Sequence, residues 1–257
     1  MKIAILGAGK IGGWLASELG KSHEVAVFDL DRHKAAGVQN ALVIGSLSEL
    51  GKFLPDLLIN AVSLQHTVAA FKDVAPHLPK ECIICDVTSI KGDLPKYYAI
   101  SGFRFASVHP MFGPTFADFS SLKEENAIII RESDDGTADF FKKFFSSYGI
   151  RIFQYTFSEH DEMMAYSLTT PFASTLVFAS SIDKTVVPGA TFARHLKIAK
   201  GLLSEDDSLL CEILFNKYSI PQLERITGRL ELLKHIIKAR DSEEAKRFLG
   251  KLRKNIG

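Results

Sequence analysis

Cysteine is scarce in this chain of 257 residues, which contains only three. Cys82 and Cys85 have the CxxC spacing of a metal-ligating or redox pair, but they lie in one apolar run, and no second pair is present to complete a zinc site. We therefore expect no metal site and interpret both residues as buried strand cysteines. So few cysteines are typical of a protein from a reducing compartment.

The chain also lacks an excess of charge and a long apolar run. Its 31 basic and 30 acidic residues leave a net charge of +1, which creates no field suited to nucleic acid. No stretch approaches the roughly 18 uninterrupted apolar residues of a membrane span, and Met1 leads directly into a strand-like run rather than a signal peptide. We expect a cytoplasmic protein that binds neither nucleic acid nor membranes.

What the sequence does contain is a glycine-rich turn at its start. The apolar run Lys2–Leu6 leads into Gly7, Gly9 and Gly12, in the spacing GxGxxG, and then into a helical pattern. Gly7 permits a tight turn, Gly9 leaves no side chain between the backbone and a pyrophosphate, and Gly12 lets the helix lie close to the strand. The pattern predicts a dinucleotide site, and a glycine-rich turn without a ligand is the alternative.

An acidic residue after the second predicted strand bears on which dinucleotide binds. Asp29 lies twenty residues after Gly9, where a carboxylate accepts hydrogen bonds from an adenosine ribose. Asp29 and Asp31 repel a 2′-phosphate, whereas the basic residues 32–34 either attract one or form a solvated turn. We expect NAD rather than NADP. The predicted cofactor-binding residues are Gly7, Gly9, Lys10, Ile11, Gly12, Asp29 and Ser63.

Short apolar runs alternate with helical patterns over the first 157 residues. After the first two strands, further strands are predicted at 41–44, 57–62, 81–86, 104–108, 126–131 and 151–155, and helices at 65–78 and 136–147. In the last of these helices, the i, i+4 spacing of the phenylalanines indicates a core face. The alternation predicts an α/β fold, a Rossmann-type doubly wound parallel sheet, with residues 1–157 as the dinucleotide-binding domain.

From residue 158 onward the strand patterns stop. Helix-compatible stretches remain at 159–184, 191–202, 206–218, 222–238 and 242–254. Pro171 marks a kink or boundary, and Ser242 is the predicted N-cap of the last helix. We expect residues 158–257 to form an all-helical substrate and dimerisation domain, since its apolar faces exceed what one copy can cover.

Polar residues follow two predicted strands at the edge where doubly wound sheets bind ligands. Ser89 and Lys91 come after Asp86, and His109 follows the next strand. If the two strands are neighbours, Ser89 hydrogen-bonds the imidazole and fixes its tautomer, while Lys91 supplies a cation. An imidazole that is neutral at pH 7 accepts a proton, so His109 and Ser89 are the catalytic candidates. The ordinary alternatives are a loop histidine bonded to backbone, a helix-capping serine and a solvated lysine.

Four short motifs follow one another along the chain: Gly7-x-Gly9-x-x-Gly12, Asp86-x-x-Ser89-x-Lys91, His109-Pro-Met-Phe-Gly-Pro114 and Glu159-His160-Asp161. In the order and spacing of these motifs the chain resembles the prephenate/arogenate dehydrogenase family of tyrosine biosynthesis. It resembles, in particular, the dehydrogenase domain of the bifunctional chorismate mutase–prephenate dehydrogenases.

The resemblance implies an NAD(P)-dependent oxidative decarboxylation. In this family the histidine that matches His109 takes the proton from the C4 hydroxyl of a cyclohexadienol while hydride leaves C4 for the nicotinamide. Carbon dioxide departs and the ring becomes aromatic. The serine that matches Ser89 hydrogen-bonds that histidine in relatives. The expected product from prephenate is 4-hydroxyphenylpyruvate.

The helical half departs from the family pattern. Where relatives carry a histidine for the substrate, this chain has Thr169 and Phe172, and the usual arginine for the ring carboxylate aligns with Gly201. The candidates to replace these groups are Lys91, Thr169, Arg194, Lys197 and Lys200. A lysine lacks the bidentate fork that arginine offers a carboxylate.

These departures leave two alternatives open. Loss of a cationic group leaves room for arogenate, whose side chain carries an ammonium, and a nucleotide-sensing relative without catalysis is the other possibility.

His160 and Asp161 are adjacent on a predicted helix, where side chains point about 100° apart. We therefore expect one of them to brace the domain junction, and we place both outside the catalytic set.

Overall fold

The structure, a computed structural model, describes residues 1–112, 122–183, 185 and 187–257. Eight strands form one sheet: β1 Lys2–Leu6, β2 Glu24–Phe28, β3 Leu42–Val43, β4 Leu57–Asn60, β5 Ile83–Asp86, β6 Phe105–Pro110, β7 Asn126–Ile130 and β8 Arg151–Tyr155. Their order is β3-β2-β1-β4-β5-β6-β7-β8, so the winding of the chain reverses between β1 and β4. This reversal is the topological switch point at which doubly wound sheets bind dinucleotides.

The predicted strands are all present and the predicted doubly wound sheet is confirmed, but one pair of neighbouring strands is not parallel. β6 and β7 are antiparallel, with His109 opposite Ile128, whereas the other neighbours are parallel. An antiparallel partner enters at the edge where β6 ends, so it needs no crossover to the opposite edge. Strand β6 also continues to Pro110, which places His109 within the strand rather than after it.

Helices cover both faces of the sheet. They are α1 Lys10–Leu19, α2 Arg32–Ala36, α3 Leu47–Phe53, α4 Thr67–Val74, α5 Leu94–Ser101 and α6 Asp135–Ser147, with 3-10 turns at Leu64–His66 and Ala75–His77. Leu15 packs with Phe141 and Phe145 on one face, and Leu50 packs with Phe71 on the other. The predicted core face of α6 is therefore confirmed.

The two strand cysteines are buried, as predicted. Cys82 and Cys85 are both free thiols, one in each of the two core layers. Burial raises the pKa of the Cys82 thiol to about 12, and burial raises the pKa of Cys85 well above its ordinary value. Both thiols therefore stay protonated at neutral pH and act as small apolar side chains.

After β8, all the regular secondary structure of the described residues is helical. The helices are α7 Phe157–Met164, α8 Thr170–Ser180, α9 Ala190–Leu202, α10 Asp207–Leu214, α11 Ser219–Ala239 and α12 Ser242–Asn255. Lys184, the predicted end of the first helical stretch, lies outside the described residues. In the described part of the chain, no helix is long and apolar enough to cross a membrane.

One local prediction in this half was wrong and another is confirmed. The predicted N-cap Ser242 is the first helical residue, and Asp241 caps α12 by accepting hydrogen bonds from the N–H groups of Glu243 and Glu244. The predicted kink or boundary at Pro171 is present: a π-helical turn, Ala165–Thr169, joins α7 to α8, which begins at Thr170. Proline has no N–H to donate and crowds the carbonyl four residues earlier, which accounts for the wider turn just before it.

The helical half docks on the carboxyl edge of the sheet through an apolar cluster. Met164 and Ile213 pack against Ile128 and Ile130 of β7 and against Ile90, which follows β5. At its start, α7 is fixed by a capping box in which Thr156 and Glu159 bond each other's backbone N–H groups. The beginning of α7 is therefore held beside the ends of β5 and β6.

Candidate active site

The glycine-rich turn has the geometry that a pyrophosphate requires. Gly7 has φ of +92°, and a Cβ atom there would lie 2.7 Å from the carbonyl oxygen of Ala61. At Gly12 a Cβ atom would lie 2.0 Å from the carbonyl oxygen of Gly7, so only glycine lets α1 approach β1 so closely. A Cβ atom at Gly9 would meet nothing within 4 Å, which leaves the N-terminus of α1 open to a ligand.

A cleft of about 490 Å³ extends from this turn along the carboxyl edge of the sheet. Among its lining residues are Gly7, Gly9, Asp29, Ser63 and His66. One carboxylate oxygen of Asp29 accepts a hydrogen bond from the N–H of Ala8 at 2.6 Å, which ties the end of β2 to the glycine turn. An open glycine cradle, a helix N-terminus and an acidic residue at the end of β2 fit a dinucleotide.

The remaining predicted cofactor residues lie at the same edge. Lys10 and Ile11 open the first turn of α1, next to the cradle, and Lys10 is exposed. Ser63 follows β4 and stands at the N-cap position of the 3-10 turn that leads into α4, without a capping hydrogen bond from its side chain. The structure therefore brings together the residues that sequence reasoning assigned to the cofactor.

Three alanine substitutions separate the roles of these glycines. We expect Gly12→Ala to destabilise the fold, because its Cβ meets backbone at 2.0 Å. Gly9→Ala should fold normally but weaken NAD binding, because the methyl occupies open space in the cradle. Gly13→Ala is the matched control, since its Cβ meets only ordinary contacts at 3.6 and 3.7 Å. Thermal unfolding with and without NAD, and calorimetric titration, measure the effects; equal NAD affinity in Gly9→Ala and Gly13→Ala would contradict the assignment.

His109 is buried at the carboxyl end of β6, with 6% of its surface exposed. β4 borders the switch point, and β5 lies between β4 and β6. Two strand spacings of about 4.8 Å each therefore separate His109 from β4. Burial lowers the pKa of His109 well below its ordinary value, and the neighbouring His160 and the Lys91 ammonium lower that pKa further. The imidazole is therefore neutral at pH 7 and able to accept a proton.

A chain of hydrogen bonds links His109 to α7. Its Nδ1 atom lies 3.0 Å from Nε2 of His160, whose Nδ1 lies 2.9 Å from a carboxylate oxygen of Asp161. That oxygen also accepts the N–H of Lys91 at 2.8 Å, and the second oxygen accepts the N–H of Gly92 at 3.0 Å. Although burial alone raises it, these hydrogen bonds, led by that of His160, lower the pKa of Asp161 below its ordinary value. Asp161 thus stays a carboxylate and braces the junction between the sheet and α7, as one of this pair was predicted to do.

The predicted hydrogen bond between Ser89 and His109 is not present. Strands β5 and β6 are neighbours, as that prediction required, and Ser89 is half-buried in the segment after β5. Among the described residues, however, the ring of His109 is bonded to His160. The docking of α7 on the sheet therefore gives Nδ1 of His109 an imidazole partner in place of the predicted serine hydroxyl.

Lys91 is not a cation offered to a substrate, contrary to the prediction. Its side chain is fully buried and lies 2.7 Å from a carboxylate oxygen of Asp86, whose own side chain is also fully buried. The ammonium donates a further hydrogen bond to the carbonyl of Val108 at 2.8 Å, and Tyr98 donates to the other oxygen of Asp86 at 2.7 Å. An ion pair taken out of water needs such partners, so the role of Lys91 is to balance Asp86 beneath the site.

The substrate residues predicted in the helical half divide into two groups. Thr169 is buried, and its hydroxyl is hydrogen-bonded to that of Ser219 at 2.7 Å, so it holds α11 against the π-helical turn rather than facing a ligand. Phe172 packs in the apolar junction cluster. The predicted cations Arg194, Lys197 and Lys200 are exposed along α9, and no described contact joins them to His109.

His160 is the site residue that sequence reasoning missed. The argument against it was that adjacent helical residues point about 100° apart, which holds for the Cβ directions. Nδ1 of an imidazole, however, lies close to its own backbone, so the carboxylate of Asp161 reaches it from the next position. The available signal was the capping box before Glu159-His160-Asp161, because it fixes where α7 begins and hence which residues lie near the sheet.

Comparisons with known proteins agree with this arrangement. The family described as "Prephenate dehydrogenase, nucleotide-binding domain" matches residues 18–152. The chain is 28% identical over 176 residues to a probable arogenate/prephenate dehydrogenase of Methanocaldococcus jannaschii, covering 64% of this chain and 38% of that protein. It is 24% identical over 226 residues to the T-protein of Haemophilus influenzae, covering 84% of this chain and 56% of that protein. The chain therefore spans about half the length or less of these relatives.

Solved structures share the fold along almost the whole chain. Prephenate dehydrogenase from Aquifex aeolicus, crystallised with hydroxyphenyl propionate and NAD+, superposes with a TM-score of 0.86 at 19% identity and covers 99% of this chain and 96% of its own. Synechocystis arogenate dehydrogenase gives a TM-score of 0.81 at 18% identity, covering 99% and 98%. With the matched nucleotide-binding domain, these findings establish that the chain belongs to the prephenate dehydrogenase family.

Proposed function

We propose that this protein is an oxidoreductase that converts prephenate to 4-hydroxyphenylpyruvate and carbon dioxide with reduction of NAD. The observation that carries the proposal is a buried, neutral imidazole at the carboxyl edge of the sheet, two strands from the edge of a dinucleotide cleft. A base beside a hydride acceptor is what oxidation of a ring alcohol needs. Family membership supplies the substrate class.

In this reaction His109 accepts the proton of the C4 hydroxyl as the C4–H bond breaks. The nicotinamide, when bound, supplies the acceptor for the hydride. The bond between the ring and its carboxylate then breaks, its electron pair enters the ring, and carbon dioxide leaves. The imidazolium of His109 can return its proton to the resulting phenolate. Since aromatisation drives the reaction, the protein chiefly has to orient two rings and hold one base.

NAD fits the residues at the switch point. Gly7, Gly9 and Gly12 form the cradle for the pyrophosphate, with Lys10 and Ile11 in the first helical turn above it. The proposed acceptor for the hydroxyls of the adenosine ribose is the carboxylate of Asp29, a role supported by its position in the lining of the cleft, and Ser63 lines the cleft toward β4. A carboxylate at this position repels the 2′-phosphate of NADP, so we propose NAD as the cofactor.

Asp29 provides a test of the cofactor assignment. We expect Asp29→Ser to weaken NAD binding by roughly 1.5 to 3 kcal/mol, the range for a charged hydrogen bond, and to narrow the preference for NAD over NADP. Because Asp29 also accepts the N–H of Ala8, Asp29→Asn is the matched control that keeps an acceptor for the turn and removes only the charge. Titration of each variant with both dinucleotides measures the effect. An unchanged ratio of NAD to NADP affinity in both variants would refute the assignment.

A cation of α9 is the proposed contact for the ring carboxylate. Arg194, Lys197 and Lys200 are exposed and spaced three residues apart, so they form one stripe along the helix. Arogenate is the second candidate substrate. It is favoured by the absence of a histidine at Thr169 and Phe172, which pack with other protein groups, and by the neutralisation of Lys91 by Asp86.

Steady-state formation of NADH or NADPH from prephenate and from arogenate, with NAD or NADP respectively, tests the proposed function. We expect the largest kcat/KM with prephenate and NAD. A larger kcat/KM with arogenate would identify arogenate, rather than prephenate, as the substrate. No turnover of either substrate by a chain that binds NAD would support a non-catalytic, nucleotide-sensing relative instead, an alternative that an intact base at His109 disfavours.

We also propose that the helical half forms a homodimer. Some of its apolar side chains are buried within one copy, among them Leu210, Ile213 and Ile236, but others stay exposed on α8, α9 and α11. The exposed residues are Val177, Ile198, Ile220, Leu230, Leu233 and Ile237. Apolar surface of this extent is typical of a subunit interface. We expect a dimer by light scattering at micromolar concentration, and a fully active monomer would rule it out.

The free thiols are compatible with the cytoplasmic location that we propose.

A further inference from the structure

The hydrogen bonds around His109 determine which of its ring nitrogens carries a proton. We propose that His160, oriented by Asp161, is a positioning residue that holds His109 with its proton on Nδ1 and its lone pair on Nε2. The inference rests on the proposed function of His109 as the base. It assigns to His160 the orienting role that the sequence assigned to Ser89.

Asp161 fixes the direction of the hydrogen bonds that link it through His160 to His109. Its two carboxylate oxygens accept the backbone N–H groups of Lys91 and Gly92, so the group is held as an anion that can only accept. Nδ1 of His160, 2.9 Å away, must therefore donate. A neutral imidazole that donates from Nδ1 has its lone pair on Nε2, and that atom accepts from Nδ1 of His109 at 3.0 Å. The lone pair of His109 is thereby left on Nε2.

The charge environment keeps both rings neutral, which this direction requires. His160 is fully buried, and burial lowers its pKa, a shift that the Lys91 ammonium increases and the hydrogen bond that His160 donates to Asp161 opposes. The charged groups near the two rings are Lys91, Asp86 and Asp161, and the ammonium of Lys91 is paired with Asp86 at 2.7 Å. Because each ring carries a single proton at neutral pH, one arrangement of donors and acceptors satisfies His109, His160 and Asp161 together.

The same residues connect the base to the fold. Asp161 is fixed on one side by the segment after β5, and its backbone carbonyl accepts a hydrogen bond from the side chain of Asn216 at 2.8 Å, just after α10. His160 also lies edge-on to His109, with ring centroids 5.2 Å apart. The orientation of His109 is therefore set by contacts between the sheet and the helical half, and not by the loop after β5 alone.

The test combines nitrogen NMR with kinetics on the full chain. In protein labelled with ¹⁵N-histidine at neutral pH, we expect a protonated Nδ1 and an unprotonated Nε2 for His109. His160→Gln should keep this pattern, because its side-chain oxygen lies near the position of Nε2 and accepts the same hydrogen bond. His160→Leu should lose it and give a mixture of tautomers. Ser89→Ala should leave the pattern unchanged.

Kinetics supply the second readout. We expect His160→Leu to lower kcat by at least about 10-fold with no change in the KM for NAD, and His160→Gln to recover most of that loss. The upper limit is about 10⁴, the loss when the orienting carboxylate of a Ser-His-Asp triad is removed. If His160→Leu fails to fold, the wild-type tautomer and the Gln variant still decide the question.

The outcomes separate this inference from the proposed function. A proton on Nε2 of wild-type His109, or a tautomer that changes in Ser89→Ala but not in His160→Leu, would overturn the positioning role while leaving turnover intact. The expected tautomer in a chain that turns over neither prephenate nor arogenate would support the positioning role and refute the proposed function.

Discussion

His109→Asn is expected to lower the turnover of prephenate by about 10² to 10⁴ while the fold and the affinity for NAD stay unchanged. The amide of asparagine can still donate a hydrogen bond to His160, but it cannot accept a proton at neutral pH. His109 is buried away from the glycine cradle, so cofactor binding has no reason to change. Steady-state kinetics and calorimetric titration with NAD measure the two effects.

His23→Asn is the matched control for this substitution. His23 directly precedes β2, at the opposite edge of the sheet, where its ring contacts that of Phe140 in a tilted arrangement. It should leave kcat unchanged. A His109→Asn variant that turns over prephenate and arogenate as fast as the parent would make His109 a structural residue.

The pH dependence of kcat gives a second signature of His109. Because the pKa of the folded imidazole is lowered, the active neutral form persists as the pH falls through about 6.5, the value of a free imidazole. We expect kcat to stay constant as the pH falls from 7 through about 6.5 and to decline only at more acidic pH. The pH profile of His109→Asn should lack this acidic decline of kcat. A decline of the wild-type kcat that begins above pH 7 would contradict a neutral, buried base.

Lys91→Met is expected to destabilise the fold by about 3 to 5 kcal/mol, the cost of leaving a buried charge without its partner. The side chains of Lys91 and Asp86 are fully buried 2.7 Å apart, so the substitution leaves the carboxylate of Asp86 uncompensated in the core. Chemical denaturation of the variant and the parent measures the loss of unfolding free energy.

The double variant Asp86→Asn, Lys91→Met is the control for this prediction. It removes both charges, so it should be more stable than Lys91→Met alone. Equal stability of the single and double variants would show that the cost arises from lost packing rather than from the unpaired charge.

The ion pair also predicts the response to acid. Burial alone raises the pKa of Asp86, but the charge and hydrogen bond of Lys91, with further hydrogen bonds, bring that pKa below its ordinary value. A carboxylate with a lowered pKa in the folded state contributes stability above its unfolded pKa and loses it as the pH falls through the folded pKa. The stability of the wild type should therefore decline in strong acid partly through this group.

The nucleotide half was predictable because its signals are local. GxGxxG after a short apolar run requires a particular turn, and the structure places the three glycines where a side chain would strike backbone or fill the cradle. Strand positions followed from apolar runs of the right length. The direction of β7 did not, because apolar periodicity carries no information about which edge a strand enters from.

The site was less predictable, because its contacts join distant segments. Lys91 was interpreted as a solvated or substrate-binding cation, yet it pairs with an aspartate five residues earlier, beneath the site. His160 lies 51 residues from its partner, and only the docking of α7 on the sheet brings the two imidazoles together. A motif singled out His109 as the candidate base, but its contact with His160 depends on how the two halves pack.

The most direct test of the account is the stoichiometry of a single reaction at neutral pH with limiting prephenate and excess NAD. Absorbance reports NADH, a carbon dioxide trap reports decarboxylation, and mass spectrometry identifies the organic product. The account predicts equal amounts of NADH, carbon dioxide and 4-hydroxyphenylpyruvate, with none of the three formed at a comparable rate by His109→Asn. NADH without carbon dioxide, or carbon dioxide without NADH, would contradict oxidative decarboxylation by this site.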